Sequence, residues 1–350
     1  MGEWVEIGVP RSGEGRSDLG MTFDATRNQV ARCGIGDPGA LVLDPDDTWA
    51  ADYAVGLTGL DSVRLVSLPE RLVLTTSFHS DTVHLGSWSL PTGAVSWMEL
   101  DPGPANGREF FALASRPDGT AVLFGGYNNP TFFGDTWILS GDEWAPLPEP
   151  REPSLLTQRA HVAMAPDPEG RILLFGGNYE GGGPLPEHYV WLLEGETWSE
   201  PENCPEENRP PPRYASALAY DSARRRTVLF GGTVDNDGGE LADTWEWDGV
   251  CFRQVDTSST TPPSPRVHAG LAFDPMRRRV VLFGGRSRTF PEVDATQYAD
   301  TFTYGVRGNA CDSDEQCNTG YCVAHICCDQ ACDSGTCTSG RAPGTCVPER

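Results

Sequence analysis

The motif "RVHAGLAFDPMRRRVVLFGG" at residues 266–285 carries the strongest signal of the fold. Its small apolar segment runs through the tight turn "PMRRR" into a strand that ends in Phe-Gly-Gly. The same ending occurs three times earlier, so that its Phe stands at positions 124, 175, 230 and 283. Successive copies are 51, 55 and 53 residues apart. Self-similarity at a period of about 50 residues indicates a repeat architecture.

Each copy carries the same frame around the Phe-Gly-Gly ending. An Arg opens it, at Arg108, Arg159, Arg213 and Arg266. A variable loop follows the Gly pair, and then come a third strand such as "DTWEW", a short turn and a closing aromatic residue. Four short strands between polar or Gly-rich turns predict an antiparallel meander. Because one such sheet cannot bury both of its faces alone, the sheets are expected to stack radially, which predicts a β-propeller.

The Gly pairs, each followed by an aromatic third strand and a closing aromatic residue, resemble those of the kelch repeat. The pairs are Gly125-Gly126, Gly176-Gly177, Gly231-Gly232 and Gly284-Gly285. Upstream, "RSDLGMTFDATRNQVARCGIG" (16–36) aligns with the stretch at 266–285. Residues 62–100 hold a degenerate copy with Thr75-Thr76 in place of the Gly pair. The resemblance implies an all-β fold, a six-bladed kelch-type β-propeller over residues 1–306.

The N-terminal segment "GEWVEIGVP" (2–10) has the wording of the strand that closes a repeat. The last copy, 266–305, lacks that strand. We therefore predict that residues 3–8 pair with 300–305 and complete the sixth blade. Such pairing closes the ring with the N-terminal strand and removes two exposed sheet edges, which otherwise invite association with other chains.

The C-terminal segment, residues 307–350, is a separate Cys-rich unit. It holds eight of the 11 Cys residues, spaced C-x5-C-x4-C-x4-CC-x3-C-x4-C-x8-C. This density predicts a small disulfide-rich module and an oxidising compartment, with the connectivity left open. A zinc site is disfavoured because the segment has no C-x2-C pair and His325 is its only His. The eight residues are Cys311, Cys317, Cys322, Cys327, Cys328, Cys332, Cys337 and Cys346.

The Cys spacing resembles that of Cys-rich modules in predicted surface proteins of myxobacteria, which implies a spacer or anchor at an extracellular or cell-surface location. No export signal occurs within residues 1–20, so we expect a leader or further domains upstream. In the propeller, Cys204 and Cys251 fall at the outer edges of neighbouring blades, which makes them candidates for a disulfide bond.

The charge balance limits the partners. The chain has 26 basic and 50 acidic residues, a net charge of −24, and all 26 basic residues are Arg. An acidic surface repels phosphate, so nucleic acid and anionic membranes are not expected as partners. No apolar run approaches the ~20 residues that span a bilayer. Without Lys, Schiff-base and P-loop chemistry are excluded. No cofactor and no metal site are predicted, and a monomer is expected.

The long loops after the Gly pairs offer a ligand-binding face, because function on a rigid scaffold concentrates in such loops. They carry six aromatic residues that can stack on sugars or anchor a peptide. The alternative is that these residues hold the loops down on the blades. The six are Tyr127, Phe132, Phe133, Tyr179, Phe290 and Tyr298.

The repeat Arg residues face the same end of the propeller and form a second candidate site. By resemblance to kelch propellers that bind acidic peptides, they imply a carboxylate-bearing ligand. The alternative is structural: each Arg pairs with a neighbouring blade's Asp, such as Asp135, Asp243 or Asp300. A residue that occurs in every repeat more often serves the repeat than the ligand, so the structural role is favoured. The candidates are Arg16, Arg108, Arg159, Arg213 and Arg266.

Two functions are compatible with these features. The first is an exported or surface-bound, non-catalytic binding module for a protein or glycan. The second is an exported enzyme that acts on acidic sugars as an epimerase, hydrolase or lyase, by resemblance to kelch-like sialic-acid epimerases. The sequence contains no G-x-S-x-G, H-E-x-x-H or P-loop motif, which favours the binding module and assigns no catalytic residue.

Overall fold

The computed structural model describes residues 2–7, 20–24, 29–33, 39–43, 49–54, 62–69, 71–77, 86–91, 98–100, 103–105, 107–148, 156–179, 182–187, 189–235, 239–257, 262–287, 296–306, 321–323, 326–328, 335–337 and 346–348. Within these ranges the chain is all-β, with no α-helix and two short 3₁₀ segments at Gly103–Ala105 and Glu206–Asn208. Nowhere in them is a helix long and apolar enough to cross a membrane.

The strands pair into four-stranded antiparallel sheets, numbered in chain order. The N-terminal strand is β1 (Gly2–Glu6). Sheet 1 contains β2 (Gly20–Asp24), β3 (Gln29–Cys33), β4 (Gly39–Leu43) and β5 (Trp49–Ala54). Sheet 2 contains β6 (Ser62–Leu68), β7 (Arg71–Ser77), β8 (Gly86–Pro91) and β9 (Met98–Leu100).

Sheets 3 to 6 contain the Phe-Gly-Gly repeats. Sheet 3 contains β10 (Ala112–Ser115), β11 (Ala121–Phe124), β14 (Thr136–Ser140) and β15 (Glu143–Pro146), and in its long loop β12 (Tyr127–Asn128) and β13 (Thr131–Phe132) form a separate two-stranded sheet. Sheet 4 contains β16 (Ala163–Pro166), β17 (Ile172–Phe175), β18 (Val190–Glu194) and β19 (Thr197–Ser199). Sheet 5 contains β20 (Ala217–Asp221), β21 (Arg226–Phe230), β22 (Thr244–Trp247) and β23 (Phe252–Val255). Sheet 6 contains β24 (Gly270–Asp274), β25 (Arg279–Phe283), β26 (Thr301–Val306) and β1.

The sheets are arranged like the blades of a propeller. The first strand of each sheet contacts the first strand of the next, β24 of sheet 6 contacts β2 of sheet 1, and these strands surround a central channel. Sheets 3 to 6 form four blades that are described along all of their strands, against the six blades that the repeat count predicts. In sheets 1 and 2 the outer strands are described almost entirely by their backbone. The prediction of an all-β, propeller-like fold is confirmed.

The Gly pairs join each repeat to the next. Gly125 and Gly126 have φ angles of +68° and +105°, a region that favours glycine. A Cβ atom on Gly125 would lie 2.5 Å from the carbonyl oxygen of Arg159, and one on Gly126 would lie 2.8 Å from that of Glu109. The amide of Gly126 donates to the Arg159 carbonyl at 2.9 Å. The equivalent bonds run from Gly177 to Arg213 and from Gly232 to Arg266. The first Gly is therefore required by close backbone approach to the next blade, and the second by close approach within its own blade.

Sheet 2 corrects the alignment of the degenerate repeat by one residue. Val66 and its strand partner Val73 face sheet 3, as Ala114 and its partner Val122 face sheet 4. Thr75, two residues after Val73, therefore occupies the position of the repeat Phe. The prediction that two Thr residues at 75–76 replace the Gly pair is wrong by one residue. The sequence "RLVLTT" has no Gly pair to mark where the strand ends, so it does not determine how this strand aligns with the other repeats. The error matters because a shift of one residue exchanges the two faces of a strand.

The N-terminal strand completes sheet 6. Strand β1 pairs antiparallel with β26, with Trp4 opposite Tyr304, and the amide of Ile7 donates to the carbonyl of Thr301 at 2.8 Å. The predicted pairing of this segment with 300–305 is confirmed for residues 2–7. Trp4 is buried, and its indole Nε1 donates to Thr244 Oγ1 of sheet 5 at 2.8 Å. Trp198 Nε1 makes the same bond to Thr136 Oγ1 between sheets 4 and 3, at 2.9 Å.

A disulfide bond joins sheets 4 and 5 at their outer edges. Cys204 follows β19, Cys251 precedes β23, and their Cα atoms lie 4.7 Å apart. This predicted bond is confirmed. In the C-terminal segment, β27 (Tyr321–Val323) pairs with β28 (Ile326–Cys328), and β29 (Gly335–Cys337) with β30 (Cys346–Pro348). The side chains of its eight Cys residues lie outside the described part of the chain, so their pairing remains a prediction.

Candidate ligand-binding site

Three repeat Arg side chains are buried in ion pairs. Arg213 donates from Nη1 and Nη2 to the two carboxylate oxygens of Asp243, at 2.5 and 2.9 Å, and from Nη1 to the carbonyl of Gly231 at 3.1 Å. The equivalent pairs are Arg108–Asp135, at 2.6 and 3.0 Å, and Arg266–Asp300, at 2.5 and 2.8 Å. Each Asp belongs to the same sheet as its Arg. The predicted Asp partners are confirmed, but their assignment to a neighbouring blade is wrong, because the third strand of the same sheet lies beside the Phe-Gly-Gly strand.

These ion pairs also explain the Asp-Thr-Trp motif. Trp137 Nε1 donates to Asp135 Oδ2 at 2.6 Å, and Trp245 Nε1 donates to Asp243 Oδ2 at 2.7 Å. Burial alone raises the pKa of Asp135, but the hydrogen bonds from Arg108 and Trp137 and the charge of Arg108 outweigh it, so that the pKa is lowered. The carboxylate is therefore ionised at neutral pH. The guanidinium donors are directed at this carboxylate, which favours the structural role of the Arg over an anion-binding rim.

Sheet 4 departs from this pattern. Val190 pairs with Phe175 as Thr136 pairs with Phe124, so Tyr189 occupies the position of the repeat Asp. Arg159 is fully buried and donates from Nε to the carbonyl of Thr157 at 3.0 Å. Burial lowers the pKa of Arg159 to about 9, although the charge of Glu200 raises it, and the side chain stays protonated at neutral pH. Arg16, the fifth candidate, lies outside the described residues.

Two of the loop aromatic residues cover repeat Arg side chains. The Cζ atom of Arg108 lies 3.9 Å from the ring centre of Phe133, and that of Arg266 lies 4.1 Å from the ring centre of Tyr298. Such cation–π contacts fix the loop against the blade. Phe133 and Tyr298 therefore hold their loops down, which is the alternative role that the sequence leaves open.

Of the remaining loop aromatic residues that the structure describes, Tyr179 is the exposed one. Tyr127 and Phe132 lie on the paired strands β12 and β13, with ring centres 4.8 Å apart. The side chain of Tyr179 is 39% exposed, the largest value among the described candidates that could anchor a ligand. Phe290 lies outside the described residues.

A cleft between sheets 3 and 4 brings three of these aromatic residues together. Its volume is about 880 Å³, and Phe132, Phe133 and Tyr179 line it. The volume lies within the range of about 300–1,000 Å³ that small-ligand pockets occupy. The remaining wall includes Leu147, Leu185, Pro186, Thr131, Thr157 and Gln158. Sequence reasoning missed these residues because they lie on dissimilar loops. The loops meet only because sheets 3 and 4 are neighbours in the folded protein.

The channel mouth at the same end is a second concave feature. Phe110, His161, Ala215 and His268 each lie two residues after a repeat Arg and have φ between +54° and +56°. The amide of each of the last three donates to the carbonyl of the one before it, at 2.9 to 3.0 Å. The ring of His161 stacks on Phe110 with centres 3.9 Å apart and lies 5.0 Å from His268. The two His side chains therefore pack against aromatic neighbours at the channel mouth.

Arg64 is the charged residue that sequence reasoning missed at this mouth. It lines a channel cavity of about 130 Å³ together with His161 and His268, and its Nε donates to the carbonyl of Phe111 at 2.9 Å. Sheet 3 has Ala112 at the equivalent channel position. The sequence alone did not reveal this position, because Arg64 aligns with Ala112 only after the alignment of sheet 2 is corrected by one residue. No group of three or more His, Cys, Asp or Glu side chains able to hold a metal ion occurs among the described residues.

Comparison with known proteins gives short matches. No protein-family model matches the chain. It is 32% identical over 122 residues to dynein regulatory complex subunit 7 of Chlamydomonas reinhardtii, a match that covers 33% of this chain and 10% of that protein. It is also 32% identical over 138 residues to tRNA wybutosine-synthesizing protein 4 of Emericella nidulans, covering 37% of this chain and 12% of that protein. The matched segment is thus a small part of each relative.

Proposed function

We propose that this chain is an exported or cell-surface, non-catalytic binding module that uses the cleft of Phe132, Phe133 and Tyr179 to bind a protein segment or a glycan. The observation that carries this proposal is the cleft itself. It joins the most exposed loop aromatic residue to two others across the boundary of two blades. Aromatic residues in a concave, largely apolar wall are the usual anchors of peptide and sugar ligands.

The scaffold of this module is proposed to be a closed six-bladed propeller of kelch type. The ring of contacts between first strands, from β2 through β24 and back to β2, supports six blades. The Gly pairs, which donate to the next blade's Arg carbonyl, support the kelch assignment. Loops on such a rigid ring can vary without loss of the fold, which suits a recognition role.

The chemistry of the cleft favours an uncharged ligand surface. Among its described lining residues the charged one is Asp135, whose carboxylate is engaged by Arg108. The repeat Arg residues described at this end are buried, so they do not support a grip on a carboxylate or the alternative of an enzyme for acidic sugars. One relative is by its name a subunit of a protein complex, which supports a protein as the first ligand class to test.

The export part of the proposal is supported by the Cys204–Cys251 disulfide, since such bonds persist in oxidising compartments. The eight Cys residues of the C-terminal segment agree with it. The net charge of −24 suits a soluble surface that does not attract nucleic acid or anionic lipid.

The test is a screen of the full chain on peptide and glycan arrays, followed by the double variant Phe132→Ala/Tyr179→Ala. We expect the captured ligand to be lost with little change in melting temperature, because both side chains are at least partly exposed. The control is Val250→Ala, an exposed apolar residue in the turn before β23 that lines neither the cleft nor the channel. Ligand binding that survives the double variant would remove the cleft from the proposal.

A further inference from the structure

One end of the channel carries the short turns between the first and second strands of the sheets. Its wall consists of two unlike halves. Strands β20, β24 and β2 of the adjacent sheets 5, 6 and 1 present Tyr220, Phe273 and Phe23 at their last channel-lining position. At the same position, β6 and β10 of sheets 2 and 3 present Ser67 and Ser115, and β16 of sheet 4 presents Pro166. One half of the wall is therefore aromatic, and the other half is small and carries hydroxyl groups.

The three aromatic residues are not a requirement of the repeat. Sheets 2, 3 and 4 fill the same position with Ser or Pro and still form four-stranded sheets. Tyr220, Phe273 and Phe23 are each only partly buried and all line this cavity, although Phe273 and Phe23 also pack against the apolar clusters between the sheets. A residue that serves the repeat would be expected in every blade, as the Phe-Gly-Gly ending is in four of them. The clustering of aromatic rings on adjacent blades points to a ligand.

The cavity that these walls enclose has the size of a single small ring. Its volume is about 280 Å³, just below the range of about 300–1,000 Å³ that drug-sized ligands occupy. None of the described residues that line it carries a charged side chain. A depression of about 330 Å³ continues outward from Ser115, Pro166 and Tyr220, which leaves room for a substituent on the ring.

We propose that this end of the channel binds an uncharged sugar ring. The aromatic wall offers flat apolar surface to the C–H face of a pyranose, and the opposite wall offers the hydroxyls of Ser67 and Ser115 as donors and acceptors. An anionic ligand would meet no cation among the described residues of this cavity, and the chain carries a net charge of −24; Arg116 and Asp167, one of each sign, line the depression outside it. This site lies at the opposite end of the channel from the cleft of Phe132 and Tyr179 and is independent of the function proposed for that cleft.

The experiment uses the full chain and four neutral probes: the methyl glycosides of glucose, galactose, mannose and N-acetylglucosamine. Saturation-transfer NMR and calorimetry would measure binding, and methyl glucuronide serves as the charged comparison. We expect at least one neutral glycoside to bind with a dissociation constant below about 10 mM, and the glucuronide to bind more weakly than the neutral glucoside.

Three variants assign the site. Tyr220→Ala removes part of the aromatic wall and Ser115→Leu fills the hydroxyl wall, and each should weaken binding about tenfold, a change of ~1.4 kcal/mol. Tyr220→Phe keeps the ring and should stay within about twofold of the original affinity. Since Tyr220→Phe preserves the packing of the ring, it separates loss of the wall from loss of the fold.

The control Val250→Ala alters an exposed residue outside both proposed sites and should leave glycoside binding unchanged, and Tyr179→Ala tests whether the glycosides bind in the cleft instead. The inference is overturned if none of the four neutral glycosides binds, or if Tyr220→Ala and Ser115→Leu bind them as the original chain does. It is also overturned if binding is lost in Tyr179→Ala instead, a result that would support the cleft as the sugar site.

Discussion

The guanidinium of Arg213 donates two hydrogen bonds to the carboxylate of Asp243, at 2.5 and 2.9 Å, with the Arg side chain fully buried. The same Nη1 reaches the carbonyl of Gly231, and the backbone carbonyl of Arg213 accepts from Gly177 of the previous blade. One residue thus ties the first and third strands of its own sheet together and joins that sheet to its neighbour. This relationship accounts for the repetition of the Arg and guides the first prediction.

Replacing Arg213 by Ala is expected to destabilise the protein by about 3 kcal/mol, because it leaves the carboxylate of Asp243 without its main partner. Urea unfolding would measure the free energy of unfolding. Arg253→Ala is the matched control, since 75% of that side chain is exposed, and it should change stability by less than about 0.5 kcal/mol. Equal stability of the two variants would contradict the structural role of the buried Arg residues and would favour a role in ligand binding.

Replacing Trp4 by Ala is expected to cost about 3–5 kcal/mol, the usual loss for a large buried aromatic side chain. Trp4 packs 5.1 Å from the ring of Phe230 and donates to Thr244, so the loss opens the contact between sheets 6 and 5. Glu6→Ala in the same strand is the control, because Glu6 is exposed. Thermal unfolding of both variants would check this. A Trp4 variant as stable as the original would contradict a role for β1 in closing the ring.

Acid is expected to weaken a buried network around Glu246. Burial raises the pKa of Glu246, but the charge of Arg224 and the hydrogen bond from Tyr304 at 2.8 Å outweigh it and lower the pKa below the ordinary value of 4.5. A carboxyl whose pKa is lowered by folding contributes stability above its unfolded pKa and loses it as the pH falls through the folded pKa.

The stability contributed by Glu246 is therefore present above about pH 4.5 and disappears below it. At neutral pH, Glu246→Gln should be less stable than the original chain, and the difference should shrink as the pH falls below about 4.5 and through the lowered folded pKa. Urea unfolding at a series of pH values would measure it. A difference that stays constant over this range would show that the network does not depend on the charge of Glu246.

The Cys204–Cys251 bond is expected to contribute about 2–4 kcal/mol, because it closes a loop with a sequence separation of 47. The variant Cys204→Ala/Cys251→Ala should be less stable than the original chain by that amount under oxidising conditions. In a reducing agent the two proteins should unfold alike, since the C-terminal Cys residues are common to both. A stability difference that persists after reduction would mean that packing, rather than the covalent bond, causes the loss.

Much of the fold could be predicted from the sequence, because its signals are local and periodic. The Phe-Gly-Gly ending marks close backbone approach, and β1 could be matched to β26 since Trp4 stands where the closing aromatic residue of the repeat is due. In sheet 2 the Gly pair is missing, and the alignment of this repeat was wrong by one residue. For that reason the channel position of Arg64 was not predicted.

The candidate site was less accessible to sequence reasoning. The six loop aromatic residues could be identified, but whether a ring covers an Arg or faces solvent depends on the neighbouring chain. Phe133 and Tyr298 cover Arg108 and Arg266, whereas Tyr179 is exposed. The cleft also needs Leu147 and Gln158, which share no repeat position with these residues.

Spacing along the chain specifies backbone geometry, so it was enough to predict the repeat, its antiparallel strands and the strand that completes sheet 6. The contacts between strands and sheets were needed to show that the repeat Arg residues face Asp side chains of their own sheet, and that the two ends of the channel differ. Those features arise between sheets, where side chains distant in sequence compete for the same partners and the same space. The sequence pattern of a single repeat therefore does not predict these contacts.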